Sequence, residues 1–318
     1  MKHFTTVRDV PDITALAKLA LSYKQKPPST QFDGKRVRVG LLFLNPSLRT
    51  RVSTQIAVSN LGMDCVVLNV DKDGYSLEFA EGAVMNGSKP EHIREAAAVL
   101  GQYFSILCIR SFPGLRDKVE DYSETFLQQF VKFSGIPIVS MESCTLHPLQ
   151  SLADLVTIIE HWNERRKPKV VLTWAPHIKP LPQAVANSFV EWMIGWGEAE
   201  LVITQPKGFE LADQFTNGAS ICYDQKEAIA GADFVYVKNW SSYHNYGAIA
   251  KDCNDWMLTG EDILLTNDAR IMHCLPVRRN VELSDEVLDS ENSLVIEQAA
   301  NRVWSAQAVL ASIAKEIR

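Results

Sequence analysis

The sequence predicts an α/β protein organised as two domains around parallel sheets, and three observations carry that prediction. Short β-rich runs alternate with longer runs of helical period along the whole chain. The strand-like runs are continuously apolar, as in strands covered on both faces by helices. At 318 residues the chain exceeds one ordinary core and suits two domains of ~150 residues.

Taken in order, "RVRVGLLFL", "CVVLNV", "FSILCI" and "IPIVSM" read as strands, with "STQIAVSNLG", "HIREAAAVLGQ" and "ETFLQQFVKFSG" as helices among them. The rhythm resumes with the helix "LADLVTIIEHW", the strand "KVVLTWA", the helix "AVANSFVEWMIGW" and the strands "AELVIT", "DFVYVKNW" and "ARIMHCL". The expected domains are residues 1–145 and 146–296, with an amphipathic helix over 297–318 packing back on the first.

Hydrophobic residues make up 46% and charged residues 22%, the balance of a soluble globular protein. No apolar run approaches the ~20 residues of a membrane span, and "MKHFTTVRDV" lacks a signal-peptide core, so the expected address is cytoplasmic with no membrane partner. A net charge of -6 argues against nucleic acid as a partner. The one basic cluster, "RRKPK", reads as a solvated helix end leading into a strand. The six cysteines form no CxxC pair, so neither a zinc knuckle nor a disulfide framework is indicated.

Ligands of open parallel sheets gather at the carboxyl ends of strands, which directs attention to "NPSLRTR". The strand is expected to end at Leu44 and a helix to begin near Arg51 or Val52. Backbone N–H groups at the helix start, the helix dipole, the Arg49 fork and the Ser47 and Thr50 hydroxyls would suit a phosphoryl group. On spacing alone, an N-capped helix with surface arginines is an equally good reading. Neither a P-loop nor a dinucleotide glycine motif is present.

"SLRTR" resembles the S-x-R-T-R carbamoyl-phosphate loop of the aspartate/ornithine carbamoyltransferase family, and "HPLQSLAD" and "HCLPVRRN" match further family segments in order. The resemblance implies two Rossmann-like parallel-sheet domains. It also implies transfer of a carbamoyl group to an amine through a tetrahedral oxyanion, with phosphate leaving. In that scheme Ser47, the Leu48 backbone, Arg49 and Thr50 hold phosphate, and Arg110 bridges phosphate and carbonyl oxygen. His147 donates to that oxygen and Gln150 binds the carbamoyl nitrogen. A lone histidine is more often structural, and the motif around His147 is what singles it out. Arg302 either returns to the phosphate site or is an ordinary helix arginine. No evident general base stands in the motifs, and the resemblance implies that the departing phosphate takes the amine's proton; no metal or organic cofactor is called for. The family assembles as homotrimers with active sites between subunits. The segment from Asp71 to Pro90 stands where the neighbour contributes, with Tyr75 near the place of a tryptophan in the acylornithine branch.

"HCLP" resembles the ornithine side of the family, with carbonyls around Cys274 and Leu275 holding the attacking amine; the Cys274 sulfur itself could equally be an inert packed thiol. The acidic loop of enzymes for free ornithine is missing. In its place "TWAPHIKPLPQAVANSF" resembles the proline-rich loop of the N-acylornithine enzymes, whose chain is knotted there, although a rigid surface turn would look the same. Glu142, His177, Lys238 and Arg278 match acceptor-contacting positions of that branch. In "MNGSKPEHI", a Pro90 that takes the pocket-facing position, where the acetyl enzymes carry an acidic residue, would leave room for a second carboxylate; an inward-facing Glu91 would favour acetyl instead. Glu282 replaces a lysine of the acetyl enzymes and suggests a different acyl pocket. The expected acceptor is N-succinyl-L-ornithine, with N-acetyl-L-ornithine as the alternative. A non-catalytic, metabolite-binding member of the family is the alternative of another class.

Overall fold

The computed structural model describes residues 1–26, 36–70, 76–250 and 253–317, which form two compact units. The first comprises Met1–Gly114, Val119–Leu149 and Arg302–Arg318; the second comprises Leu115–Lys118 and Gln150–Asn301.

Strands β1 (Arg38–Phe43), β2 (Asp64–Asn69), β3 (Leu77–Glu78), β4 (Glu91–His92), β5 (Ile106–Arg110) and β6 (Ile138–Glu142) lie in the first unit, with helices α1 (Ile13–Gln25), α2 (Leu48–Asn60), α3 (Ile93–Tyr103) and α4 (Thr125–Phe133). β3 and β4 pair with each other, and the other four strands form one parallel sheet in the order β2-β1-β5-β6. β1, β5 and β6 are buried along almost their whole length, which is why they read as unbroken apolar runs. On one face Leu42, Leu107, Ile109 and Ile138 pack against Ile93, Ala97, Leu127 and Phe130. Gly101 lets α3 approach the end of α4 closely: a Cβ there would stand 1.9 Å from the Ser134 carbonyl oxygen. Phe4 closes the sheet's free edge, its N–H donating to Ile138 and its carbonyl accepting from Ser140, both at 2.8 Å.

The second unit contains β7 (Lys169–Trp174), β8 (Glu200–Thr204), β9 (Ser220–Cys222), β10 (Phe234–Lys238) and β11 (Arg270–Met272), parallel in the order β11-β10-β7-β8-β9. Helices α5 (Pro148–His161) and α7 (Val295–Ala314) each run across the chain boundary between units, while α6 (Ala184–Trp196) lies within the second. Helix α1, capped by Asp12 accepting from the Ala15 N–H at 2.8 Å, and the short, largely exposed β9 extend the order of elements read from the sequence.

In both sheets the chain adds strands to one side and then returns to the other. The reversals fall between β1 and β5 in the first unit and between β7 and β10 in the second. The carboxyl ends at such reversals are where open α/β sheets bind ligands.

The basic cluster has a structural role. Arg166 makes a two-pronged contact with Asp233 at 2.7 and 2.6 Å, and the same carboxylate accepts from the Lys169 N–H and from Asn267, both at 2.8 Å. Burial pushes the Asp233 carboxyl up, but these hydrogen bonds together outweigh it and hold the group below its ordinary value. Asp233→Ala should cost about 2–3 kcal/mol, discounted because Arg166 is half exposed. A denaturation-measured loss under about 0.5 kcal/mol would refute this role. The folded pKa is depressed, so the contribution is complete above about pH 4 and fades as pH falls through the folded value.

Candidate functional site

The anion loop begins earlier than the sequence suggests. β1 ends at Phe43, and α2 starts at Leu48 because Ser47 caps it, its hydroxyl accepting from the Thr50 N–H at 3.3 Å. "LRT" is thus the first helical turn, and the N–H groups of Leu48 and Arg49 sit at its end, where no intrahelical acceptor exists by position. Arg51 is drawn away from this turn: its guanidinium stacks over Phe43 at 4.4 Å and bonds Asn69, tying the ends of β1 and β2. From the last helix, Arg302 donates to the Thr50 hydroxyl at 2.6 Å, bringing a buried guanidinium to the same turn.

Arg110 ends β5, beside β1 at the reversal point. A register shift between Ile109 and Arg110 skips Met141 and sets Arg110 opposite Glu142. The pair is buried, with Arg110 Nη2 2.8 Å and Nε 3.1 Å from Glu142 Oε2. Arg110 Nη1 also donates to the Asn45 and Pro46 carbonyls at 3.1 and 3.2 Å, so this side chain braces the loop that precedes α2. His147 lies 3.8 Å from the same Glu142 oxygen. Glu142, matched from sequence to acceptor contacts, therefore stands with Arg110 and His147 in the first unit, whereas His177, Lys238 and Arg278 lie in the second.

Sequence reasoning missed Glu124. Its carboxylate accepts from the Ser143 hydroxyl (2.6 Å), the Cys144 N–H (3.2 Å), and the Thr145 N–H (2.7 Å) and hydroxyl (2.6 Å). It holds the turn that presents His147, from a left-handed backbone position at φ 52° that a β-carbon tolerates poorly. An isolated glutamate before a helix gives no motif by which to find this.

In the second unit, "HCLP" leaves β11 and is pinned by His273. The His273 Nδ1 accepts from the Leu275 N–H at 2.9 Å, which places the ring proton on Nε2, 2.8 Å from Glu282. Leu275 has φ 55°, and the following peptide to Pro276 is cis. Glu282 also accepts from the Arg278 N–H at 3.1 Å. The Glu282 side chain is 1% exposed; its oxygens accept from His273 and Arg278, and Oε1 lies 3.9 Å from His177 Nε2. Burial pushes its carboxyl up, but the His273 hydrogen bond, Lys238 and the Arg278 N–H outweigh that, and the net direction is down. Arg278 Nε donates to His177 Nε2 at 3.2 Å, joining the proline-rich loop to the segment after "HCLP". Lys238 ends β10, buried, opposite Trp174 in register. The Cys274 thiol is packed beside Tyr236.

Gln150 sits fully buried in the first turn of α5. Pro90 is exposed, while Glu91 lines a cavity of about 360 Å³ inside its own unit with Leu42, Leu68 and Phe126. Tyr75 lies outside the described residues. Among those described, one group of metal-ligand type, Glu160, His161 and Glu297, brings its atoms within 4.8 Å of one another. It is at the far end of α5 from Gln150, about 16 Å along the helix.

Residues 2–160 match the carbamoyl-P binding domain of aspartate/ornithine carbamoyltransferases, and residues 183–313 match their Asp/Orn binding domain. The chain belongs to this carbamoyltransferase family. It is 48% identical over 98% of both chains to an N-succinylornithine carbamoyltransferase of Bacteroides thetaiotaomicron, and 46% identical, again over 98% of each, to one of Bacteroides fragilis. An N-acetylornithine carbamoyltransferase of Xanthomonas axonopodis pv. citri is 34% identical over 99% of this chain and 97% of its own. Among solved carbamoyltransferases, a glutamate-to-proline variant of N-acetyl-L-ornithine transcarbamylase, complexed with carbamyl phosphate and N-succinyl-L-norvaline, superposes with TM-score 0.92 at 34% identity, covering 98% of this chain and 100% of that one.

Glu124→Ala should leave four donors of the His147 turn without their acceptor and lower carbamoyl transfer on the order of a hundredfold, by analogy with the loss of residues that orient catalytic groups. Steady-state turnover with secondary structure unchanged in circular dichroism is the check; wild-type turnover would refute the assignment.

Proposed function

We propose that this carbamoyltransferase moves the carbamoyl group of carbamoyl phosphate to the side-chain amine of N-succinyl-L-ornithine, giving N-succinyl-L-citrulline and phosphate in arginine biosynthesis. The observation that carries the acceptor is the full-length similarity to the two N-succinylornithine enzymes.

In this reading the first turn of α2 receives the phosphate: the Leu48 and Arg49 N–H groups, the Ser47 and Thr50 hydroxyls, Arg49 and Arg302 surround it, and the helix dipole favours the anion. Arg110 and His147 stabilise the carbonyl oxygen as it becomes an oxyanion. Gln150 holds the carbamoyl nitrogen. The uncharged amine, held by carbonyls around Cys274 and Leu275, forms the new C–N bond. The bond from carbon to the phosphate oxygen breaks, and phosphate carries away the amine's proton. His177, Lys238 and Arg278 meet the acceptor's carboxylates, with Glu142 and Pro90 completing the acceptor's surroundings and Tyr75 the carbamoyl-phosphate side. Glu142 meanwhile keeps Arg110 aimed before substrate arrives. The reaction as written requires no metal or organic cofactor.

The test is product formation from carbamoyl phosphate with ornithine, N-acetylornithine, N-succinylornithine and aspartate supplied separately. The succinyl compound should be preferred; preference for another acceptor overturns the assignment, and silence with all four favours a non-catalytic, metabolite-binding protein. Pro90→Glu should shift preference toward the acetyl acceptor by about tenfold or more through like-charge repulsion.

The same reading includes a homotrimer with shared active sites, a knotted proline-rich loop and a cytoplasmic address. Supporting the first, Leu48, Val52 and Ile56 form an apolar stripe on α2, exposed by 77, 45 and 43%. For the second, the Leu181 carbonyl accepts from both the N–H and hydroxyl of Ser241. Among the described residues the cysteines form no disulfide, which supports the third. Sedimentation equilibrium should return three times the chain mass, and a monomer would refute the trimer.

A further inference from the structure

The amide of Gln150 has two orientations, and only one presents an acceptor to the carbamoyl nitrogen. The choice is settled by groups that touch no substrate. The His273 backbone N–H can only donate, and it does so to Gln298 Oε1 at 2.8 Å. That turns Gln298 Nε2 toward Asp154, where it donates to Oδ1 at 2.7 Å. Gln150 Nε2 donates to that same oxygen, also at 2.7 Å. Because the amide is planar, its Oε1 then points away from Asp154. Asp154, Gln150, Gln298 and His273 are all 0% exposed, so water cannot substitute for any link. Tyr236 packs on Asp154 from β10 and completes the buried cluster.

We propose that Asp154 and Gln298 are positioning residues: Asp154 Oδ1 accepts from Gln298 on one side and from Gln150 on the other, so that Gln298, held by the "HCLP" backbone, steadies the carboxylate that fixes the Gln150 amide with Oε1 placed to accept from the carbamoyl NH2. The proposal rests on Gln150 being the ligand of that nitrogen. It assigns the selection of carbamoyl phosphate over acyl phosphates lacking the NH2 to the acceptor that Asp154 presents to Gln150. It also makes one strand end answer for both the amine-holding carbonyls and the carbamoyl ligand.

The test turns that acceptor into a donor without emptying the network. In Asp154→Asn combined with Gln298→Glu, the carboxylate introduced at position 298 accepts from the His273 N–H and from the amide introduced at position 154. That amide's NH2 in turn presents a donor to Gln150. Gln150 must then turn its oxygen inward and its NH2 toward the substrate. The readout is the ratio of affinities for carbamoyl phosphate and acetyl phosphate, which carries a methyl in place of the NH2, with thermal stability recorded alongside. The ratio should fall on the order of tenfold, the worth of one hydrogen bond. An unchanged ratio, or equal weakening of both ligands, overturns the proposal. Should the double variant fail to fold, Asp154→Leu removes the shared acceptor with little change of volume and should lower the ratio likewise; a retained ratio there also overturns it. Gln150→Ala separates the two ideas: if it keeps the wild-type ratio, the reading of Gln150 itself fails. If Gln150→Ala loses the ratio while the double variant keeps it, that reading stands and the positioning by Asp154 and Gln298 does not.

Discussion

The buried pair of Arg110 and Glu142 is the constraint around which the first unit's chemistry is arranged. Removing two charges from water costs several kcal/mol per ion, and the attraction compensates only when geometry is good and remaining donors are satisfied. Here the register shift in β5 aligns the pair, and the Asn45 and Pro46 carbonyls accept from the guanidinium as well. The consequence is a cation held at a strand end, beside the first turn of α2, before any anion arrives. Arg110 also links that loop to Glu142, and so to His147.

The second unit solves a different problem, that of fixing backbone carbonyls. Carbonyls can hold an amine only if the turn bearing them does not relax, and the left-handed Leu275 is a conformation a free chain rarely keeps. His273 supplies the restraint by accepting from the Leu275 N–H, and Glu282 supplies the tautomer by accepting from the other ring nitrogen. The carboxylate at position 282 is thus matched to a histidine proton. By accepting from the Arg278 N–H as well, it extends the same restraint to the residue that meets His177.

Much of this was legible from residue order. The parallel strands declared themselves as unbroken apolar runs because both faces are covered, and "SLRTR", "HPLQ" and "HCLP" marked three of the strand ends and helix starts where ligands collect. Apolar period starts α2 late because a serine four residues before Arg51 can cap a helix without altering that period; α1 and β9 escape it because a short amphipathic helix and an exposed edge strand lack an unbroken apolar run.

The sequence by itself determined the two-domain α/β architecture and the family, since these follow from local composition and motif. Only the tertiary structure decided which of those residues share an environment. Glu142 pairs with Arg110, Glu124 holds the His147 turn, and Glu282 partners His273. Each assignment depends on hydrogen bonds between residues brought together by the fold, and hydrogen-bond direction and burial are set by packing, which no run of neighbouring residues encodes.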